Sequence, residues 1–150
     1  MERADNDTVT IEIAIKAPIE TVWKAWTDPA HLSWFGSDPN GKVLKANLNV
    51  SIGGSFEITF SDFDQTEHTC SGVYVDVQEF SKLSFSWRWK NEPGVESLVT
   101  ITLTSEGNST RMLFQHAHVG TTSMHDYLNG WQATFSKLER MLNKQHMDQL

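Results

Sequence analysis

Residues 124–144 read Met-His-Asp-Tyr-Leu-Asn-Gly-Trp-Gln-Ala-Thr-Phe-Ser-Lys-Leu-Glu-Arg-Met-Leu-Asn-Lys, and this stretch decides the fold. Tyr127, Trp131, Phe135, Leu138 and Leu142 recur at spacings of three and four, which an α-helix stacks into one stripe. Ser136, Lys137, Glu139, Arg140 and Asn143 fall on the far side. The pattern predicts a long amphipathic helix with an apolar stripe that must be buried against something else.

Upstream the period changes to two. Leu83, Phe85, Trp87 and Trp89 alternate with Ser84, Ser86, Arg88 and Lys90, the pattern of a half-buried strand. The same alternation appears in Val9, Ile11, Ile13 and Ile15, in Leu44, Ala46, Leu48, Val50 and Ile52, and in Phe56, Ile58 and Phe60. It returns in Val73, Val75 and Val77 (a strand of about 69–78), in Val99, Ile101 and Leu103, and in Met112, Phe114 and His116. Gly53-Gly54 reads as a tight hairpin turn, because glycine reaches positive φ without penalty. Residues 61–67, 91–94 and Glu106-Gly107-Asn108 supply further turns.

Ala17-Pro18 breaks the first strand, and Pro18 suits the start of a short helix with Val22, Trp23 and Trp26 on its apolar side. Asp28 then caps a second short helix, from Pro29 to about Trp34. Seven antiparallel strands with one apolar face need a cover, and the last helix is the one long element able to provide it. The expected fold is therefore α+β: a curved seven-stranded antiparallel sheet wrapped around a long C-terminal helix, with two short helices after the first strand. One domain is expected over residues 8–144, with flexible tails at 1–7 and 145–150. One helix crossing a broad curved sheet also leaves an unfilled end, the place for a small-molecule cavity.

The composition narrows the function classes. A net charge of −7 with 12 scattered Lys and Arg offers no electrostatic footprint for nucleic acid or an anionic membrane. No run of about 18 apolar residues is present to cross a bilayer. Cys70, the single cysteine, excludes an internal disulfide and fits a reducing cytosol, so a cytoplasmic location is expected. The sequons at Asn6, Asn49 and Asn108 then carry no meaning.

Several pieces, taken in order, carry a family resemblance. They are Ala17-Pro18-Ile19-Glu20-Thr21-Val22-Trp23, Trp26-Thr27-Asp28-Pro29, Trp34-Phe35, Gly53-Gly54-Ser55-Phe56 and Gly72-Val73-Tyr74. Residues 82–87, residues 110–116 and Gly130-Trp131 complete the set. From about Val9 to Leu142 the chain resembles the activator of heat-shock-protein-90 ATPase homologues, within the START-like, birch-pollen-allergen-like superfamily. The resemblance implies the helix-grip fold, a cavity between helix and sheet, and a link to stress response. Two departures stand out: Phe80 occupies a position where the family often has proline, and residues 47–52 are shorter and less charged than the family's run before the double glycine.

The expected ligand-binding residues are Trp34, Phe35, Phe56, Ile58, Trp87, Trp89, Met112, His116, Tyr127 and Trp131. Aromatic walls with few polar anchors suit a small hydrophobic or amphipathic ligand, although the same residues also suit a solid core. His116, inward on its strand, is the polar anchor, or else a satisfied core histidine. Leu32, Trp34 and Phe35 are read as exposed, either closing the pocket mouth or forming a dimer contact, so monomer and homodimer both stay open.

No catalytic residue, metal ligand or cofactor is assigned. His116 and His118 are placed on one strand face and His68 and Cys70 on another, but no CxxC or HExxH spacing accompanies them. Asp62, Asp64 and Glu67 lack the glycine and final glutamate of a calcium loop. No GxSxG, GxGxxG or Walker pattern occurs. Binding of a small hydrophobic molecule leads; a chaperone partner, as the resemblance implies, is the alternative. A cavity enzyme using His116 as acid and base comes third.

Overall fold

The computed structural model describes residues 7–92 and 94–148, the last four by their backbone alone; the ends expected as tails, 1–6 and 149–150, lie outside. The chain runs through β1 (Val9–Ile15), α1 (Ile19–Thr27), a single 3-10 turn (Pro29–His31), β2 (Lys42–Leu48), β3 (Ser55–Ser61), β4 (Glu67–Gln78), β5 (Lys82–Trp89), β6 (Ser97–Glu106), β7 (Ser109–Ala117) and α2 (Met124–Asp148). The seven strands form one antiparallel sheet in the order β1-β7-β6-β5-β4-β3-β2. It is the curved sheet of a helix-grip fold.

Register explains why the alternating patterns add up to one apolar face. His116, Phe114 and Met112 stand opposite Val9, Ile11 and Ile13 on one side, and opposite Val99, Ile101 and Leu103 on the other. Directly opposed residues share a face, so three strands present one apolar surface. Against it α2 buries Trp131, Phe135, Leu138 and Leu142. Trp26 of α1 fills the space between them: its ring stacks on Phe114 at 6.3 Å and meets Phe135 edge-on at 6.0 Å. Among the described residues no helix is long and apolar enough to cross a membrane.

The structure departs from the expected elements at several points. The second short helix is one 3-10 turn ending at His31, although Asp28 caps it as expected through Oδ1, which accepts from the Ala30 amide at 2.9 Å. A bulge at Leu44 shifts the phase of β2, so Val43 turns toward the core and Leu44 is left 45% exposed. The strand stops at Leu48, and residues 49–54 form a six-residue loop where a tight turn was expected; the Asn49 amide bonds Ser55 O at its base and Ile52 is exposed.

In β4, which begins at Glu67, a second bulge falls at Val75. Val73 and Val75 point outward, while Cys70 and Tyr74 carry the buried face and Val77 rejoins it. A valine alternation specifies a strand but not which of its two faces goes inside. α2 continues to Asp148, four residues beyond the expected end at Lys144, so residues 145–148 are helix and not tail.

Gly72 explains one family motif. A Cβ there would lie 1.8 Å from Ser86 O, so only glycine lets β4 and β5 approach. Phe80, where the family often has proline, sits at φ +65, a value that the proline ring forbids. Its ring meets Trp23 edge-on at 6.2 Å.

Candidate functional site: an open cleft between sheet and helix

The gap between sheet and helix is real, and it lies toward the N-terminal end of α2. Strand β5 sends Trp87 and Trp89 inward, while α2 places Tyr127 and Trp131 one turn apart on the facing side. Phe35, following the 3-10 turn, and Phe60 of β3 complete the apolar wall of an open cleft of about 430 Å³. That volume suits a small organic molecule. The rings pack edge to face, with centroids 5.3 Å apart for Trp87 and Trp131 and 5.2 Å for Trp87 and Trp89, the arrangement that aromatic pairs prefer.

Polar groups punctuate this wall. Trp89 Nε1 donates to the Tyr127 hydroxyl at 2.9 Å. Trp87 Nε1 is buried and directed at the same hydroxyl, with which it makes only a loose hydrogen bond. Burial raises the Tyr127 pKa, and the two indole N–H groups oppose that rise. Asp62 and His68 pair at 2.9 Å on one flank, and Glu92 and Asp126 also line the cleft.

The mouth is braced. Lys137, expected on the far side of the helix, instead turns its ammonium inward and donates to Gly36 O at 3.2 Å and Asp38 O at 2.8 Å. The Asp38 carboxylate accepts from the Asn40 and Phe63 amides, each at 2.9 Å, tying the loop before β2 to the loop after β3. Those backbone bonds, the Phe63 one foremost, lower its pKa. Burial lowers the pKa of Lys137 against the opposing pull of Asp38.

His116 lies beneath the cleft and is fully buried. Its Nδ1 accepts from Trp131 Nε1 at 3.0 Å, and its Nε2 lies 2.7 Å from Ser97 Oγ. Because an indole nitrogen only donates, the neutral ring must carry its proton on Nε2 and donate it to Ser97. Ser97 in turn donates to Trp87 O at 3.4 Å. Desolvation pushes the His116 pKa down to about 3. Both ring nitrogens are engaged within the protein, so His116 supports the wall from behind. The acid–base role considered for it loses its free nitrogen.

Of the ten expected binding residues, Phe35, Trp87, Trp89, Tyr127 and Trp131 line the open cleft. Phe56 and Ile58 instead border a small void of about 20 Å³, room for about one water. Trp34 is packed away with its indole N–H on Ala25 O at 3.0 Å, and Met112 receives the Trp26 N–H on its sulfur at 3.3 Å. Leu32, Trp34 and Phe35 are buried, at 2%, 1% and 4% exposure, so they form no exposed dimer patch. Their run reads as exposed because it follows a helix end, but the chain folds back over the core there.

Phe60, Asp62, His68, Glu92 and Asp126 were missed. Phe60 shares the inward face read for Phe56 and Ile58, so its signal was present; the polar four become neighbours only through folding. His118 does not share a face with His116, since it leaves β7 at φ +65 and is exposed. His68 does share a face with Cys70, but Cys70 is fully buried and its thiol pKa is raised by desolvation. Among the described residues no group of three or more His, Cys, Asp or Glu side chains is arranged to hold a metal.

Residues 16–143 match the family model described as Activator of Hsp90 ATPase homolog 1-like protein. The chain belongs to this family. Solved members and relatives share the fold at low identity. The NE0264 protein from Nitrosomonas europaea is 19% identical, with 95% of this chain and 97% of that chain covered and a TM-score of 0.80. A family member from Silicibacter pomeroyi is 21% identical, covers 93% and 99%, and scores 0.82. DynU16, from the dynemicin biosynthetic locus, is 25% identical over 91% of this chain and 47% of its own length, at 0.74. No curated protein matches the sequence.

Proposed function

We propose that this member of the Activator of Hsp90 ATPase homolog 1-like family binds a small apolar or amphipathic molecule in the cleft between its sheet and α2. The carrying observation is the open aromatic cleft of about 430 Å³. Phe35, Trp87, Trp89, Tyr127 and Trp131 contact the ligand; Trp34, Phe56, Ile58, Met112 and His116 hold that wall in place. The similarity to DynU16, a protein in the dynemicin biosynthetic locus, supports the same reading. Mass spectrometry of protein purified under native conditions tests it, with a copurifying small molecule expected. The control is Trp131→Ala, which is expected to lose that molecule. Retention of no molecule by the wild type, together with no binding across an aromatic compound library, rejects the reading.

The family name supplies the observation for a second reading, a regulator of a heat-shock-protein-90 ATPase acting through its outer surface. Stimulation of the cognate chaperone's ATPase by the purified chain is its expected outcome. Absence of both binding and stimulation rejects it.

A further inference from the structure

Gly130 stands in the middle of the helix face that looks onto the cleft. On α2 the cleft-lining positions are Ser123, Asp126, Tyr127, Gly130, Trp131 and Thr134. Spacings of three and four place Asp126, Tyr127 and Thr134 around Gly130 on that face. A helix packed on a sheet ordinarily carries an apolar side chain at so central a position. Here a half-buried position carries none.

No described neighbour requires that glycine. Gly72 is explained by a Cβ that would strike Ser86 O at 1.8 Å. Gly36, which also lines the cleft, is explained by φ +103 and by a Cβ that would lie 2.9 Å from Phe60 Cδ2. Gly130 has no left-handed φ, and a Cβ there would meet only Ser37 Cβ, at 4.0 Å, an ordinary contact. Glycine is the poorest helix former after proline, because it gives up the most backbone freedom on folding. Alanine would therefore serve the helix better and clash with nothing. What the glycine leaves is space, and that space belongs to the cleft.

We infer that Gly130 is a specificity-determining position: the ligand lies against the bare backbone of α2 there, beside Tyr127 and Trp131, and the missing side chain sets the breadth of molecule that the cleft admits. This rests on the cleft being a binding site, and it names the position that sizes it.

Two neutral hydroxyarenes of graded breadth, 2-naphthol and 9-phenanthrol, test it by equilibrium dialysis against the intact wild type, Gly130→Ala, Gly130→Leu and Ser136→Ala. Ser136 is an exposed residue of α2 outside the cleft lining, so its alanine improves the helix alone. Gly130→Ala is expected to raise the melting temperature by about 2–4 °C. It is also expected to weaken 9-phenanthrol about 5-fold, and Gly130→Leu about 20-fold or more, with 2-naphthol weakened less by each. Ser136→Ala is expected to raise the melting temperature without moving either affinity. Undiminished binding of both probes by both Gly130 variants overturns the inference and leaves the binding reading standing, and so does an equal loss of the two probes. A lowered melting temperature in Gly130→Ala also overturns it, since the glycine would then serve packing. If the wild type retains neither probe, the binding reading falls and this inference falls with it.

Discussion

The indole nitrogen of Trp131 on α2 donates to Nδ1 of His116 on β7 across 3.0 Å, joining the helix to the sheet beneath the cleft. The bond fixes both partners: Trp131 cannot rotate without orphaning a buried ring nitrogen, and His116 cannot take a second proton without losing the bond. Continuation through Ser97 to Trp87 O spreads the restraint to β5, the strand that carries Trp87 and Trp89 of the aromatic wall. The wall is thus held from behind by a buried polar chain.

Acid should weaken the fold through His116. Its pKa is about 3 in the native state, against an unfolded value near 6.5. Between those values the unfolded chain binds a proton that the native chain refuses, so this contribution is whole above pH 6.5 and declines as pH falls toward 3. The slope from this one group is roughly 1.4 kcal/mol per pH unit. Urea unfolding at pH 7.5 and 5.5 should show the loss, and His116→Gln should show a shallower dependence over the same interval. Equal slopes in both proteins would remove His116 as the cause.

Trp131→Phe should separate the bond from the packing. Phenylalanine keeps an apolar ring in the stripe but leaves His116 Nδ1 without its donor, costing about 1–3 kcal/mol. Trp131→Ala removes the ring as well and should cost about 3–5 kcal/mol. Denaturant melts of the two variants measure both, and a Phe variant as stable as wild type would show the bond to be dispensable.

Lys137→Met should loosen the cleft mouth. The methionine keeps the apolar stem and removes the ammonium held by Gly36 O and Asp38 O. The expected loss is about 1–2 kcal/mol, the worth of a charge-assisted bond in a half-exposed setting. Amide hydrogen exchange should quicken over residues 36–40 while the β6 and β7 amides stay protected. Unchanged exchange at 36–40 would mean that the ammonium does not brace the loop.

Cys70 should be silent in the native protein. It is fully buried and desolvation raises its thiol pKa, so little thiolate forms at pH 8. A disulfide reagent is expected to label it only after denaturation, which makes labelling rate a probe of opening. Prompt labelling of the folded chain would show that β4 opens locally.

Gly72→Ala should be among the most damaging single changes. The added carbon would sit 1.8 Å from Ser86 O and 2.7 Å from Phe56 Cε1, so backbone must move between paired strands. A loss above about 3 kcal/mol is expected, visible as poor recovery of folded protein and a lowered melting temperature. Gly107→Ala tests a different cost, since nothing lies within 4 Å there but φ is +71. Its effect should be milder, about 1 kcal/mol.

Period alone marked the strands and the long helix, because alternation and a 3.6-residue repeat each belong to one backbone geometry. It failed at Leu44, where a bulge resets the phase of β2, and at Val73 and Val75, which lie on the outer face of β4 because alternation does not say which face goes inside. It also failed at Leu32 and Trp34, whose burial depends on a fold-back that no local pattern encodes. At the site, Trp87, Trp89, Tyr127 and Trp131 could be placed on the cleft from their inward register and the position of the helix, whereas Phe35, read as exposed, reaches it only through the fold-back. His116 could be placed inside but not assigned a role, since that depends on Trp131 and Ser97, 15 and 19 residues away in the chain.

The sequence by itself determined the elements, their order and the need of an apolar sheet for one amphipathic helix, because those follow from spacing along the chain. Only the tertiary structure decided which aromatic side chains face open space and which are packed solid. It also decided that both nitrogens of the buried histidine are occupied within the protein. Hydrogen-bond pairing and leftover volume belong to groups brought together from distant segments, and no single segment carries them.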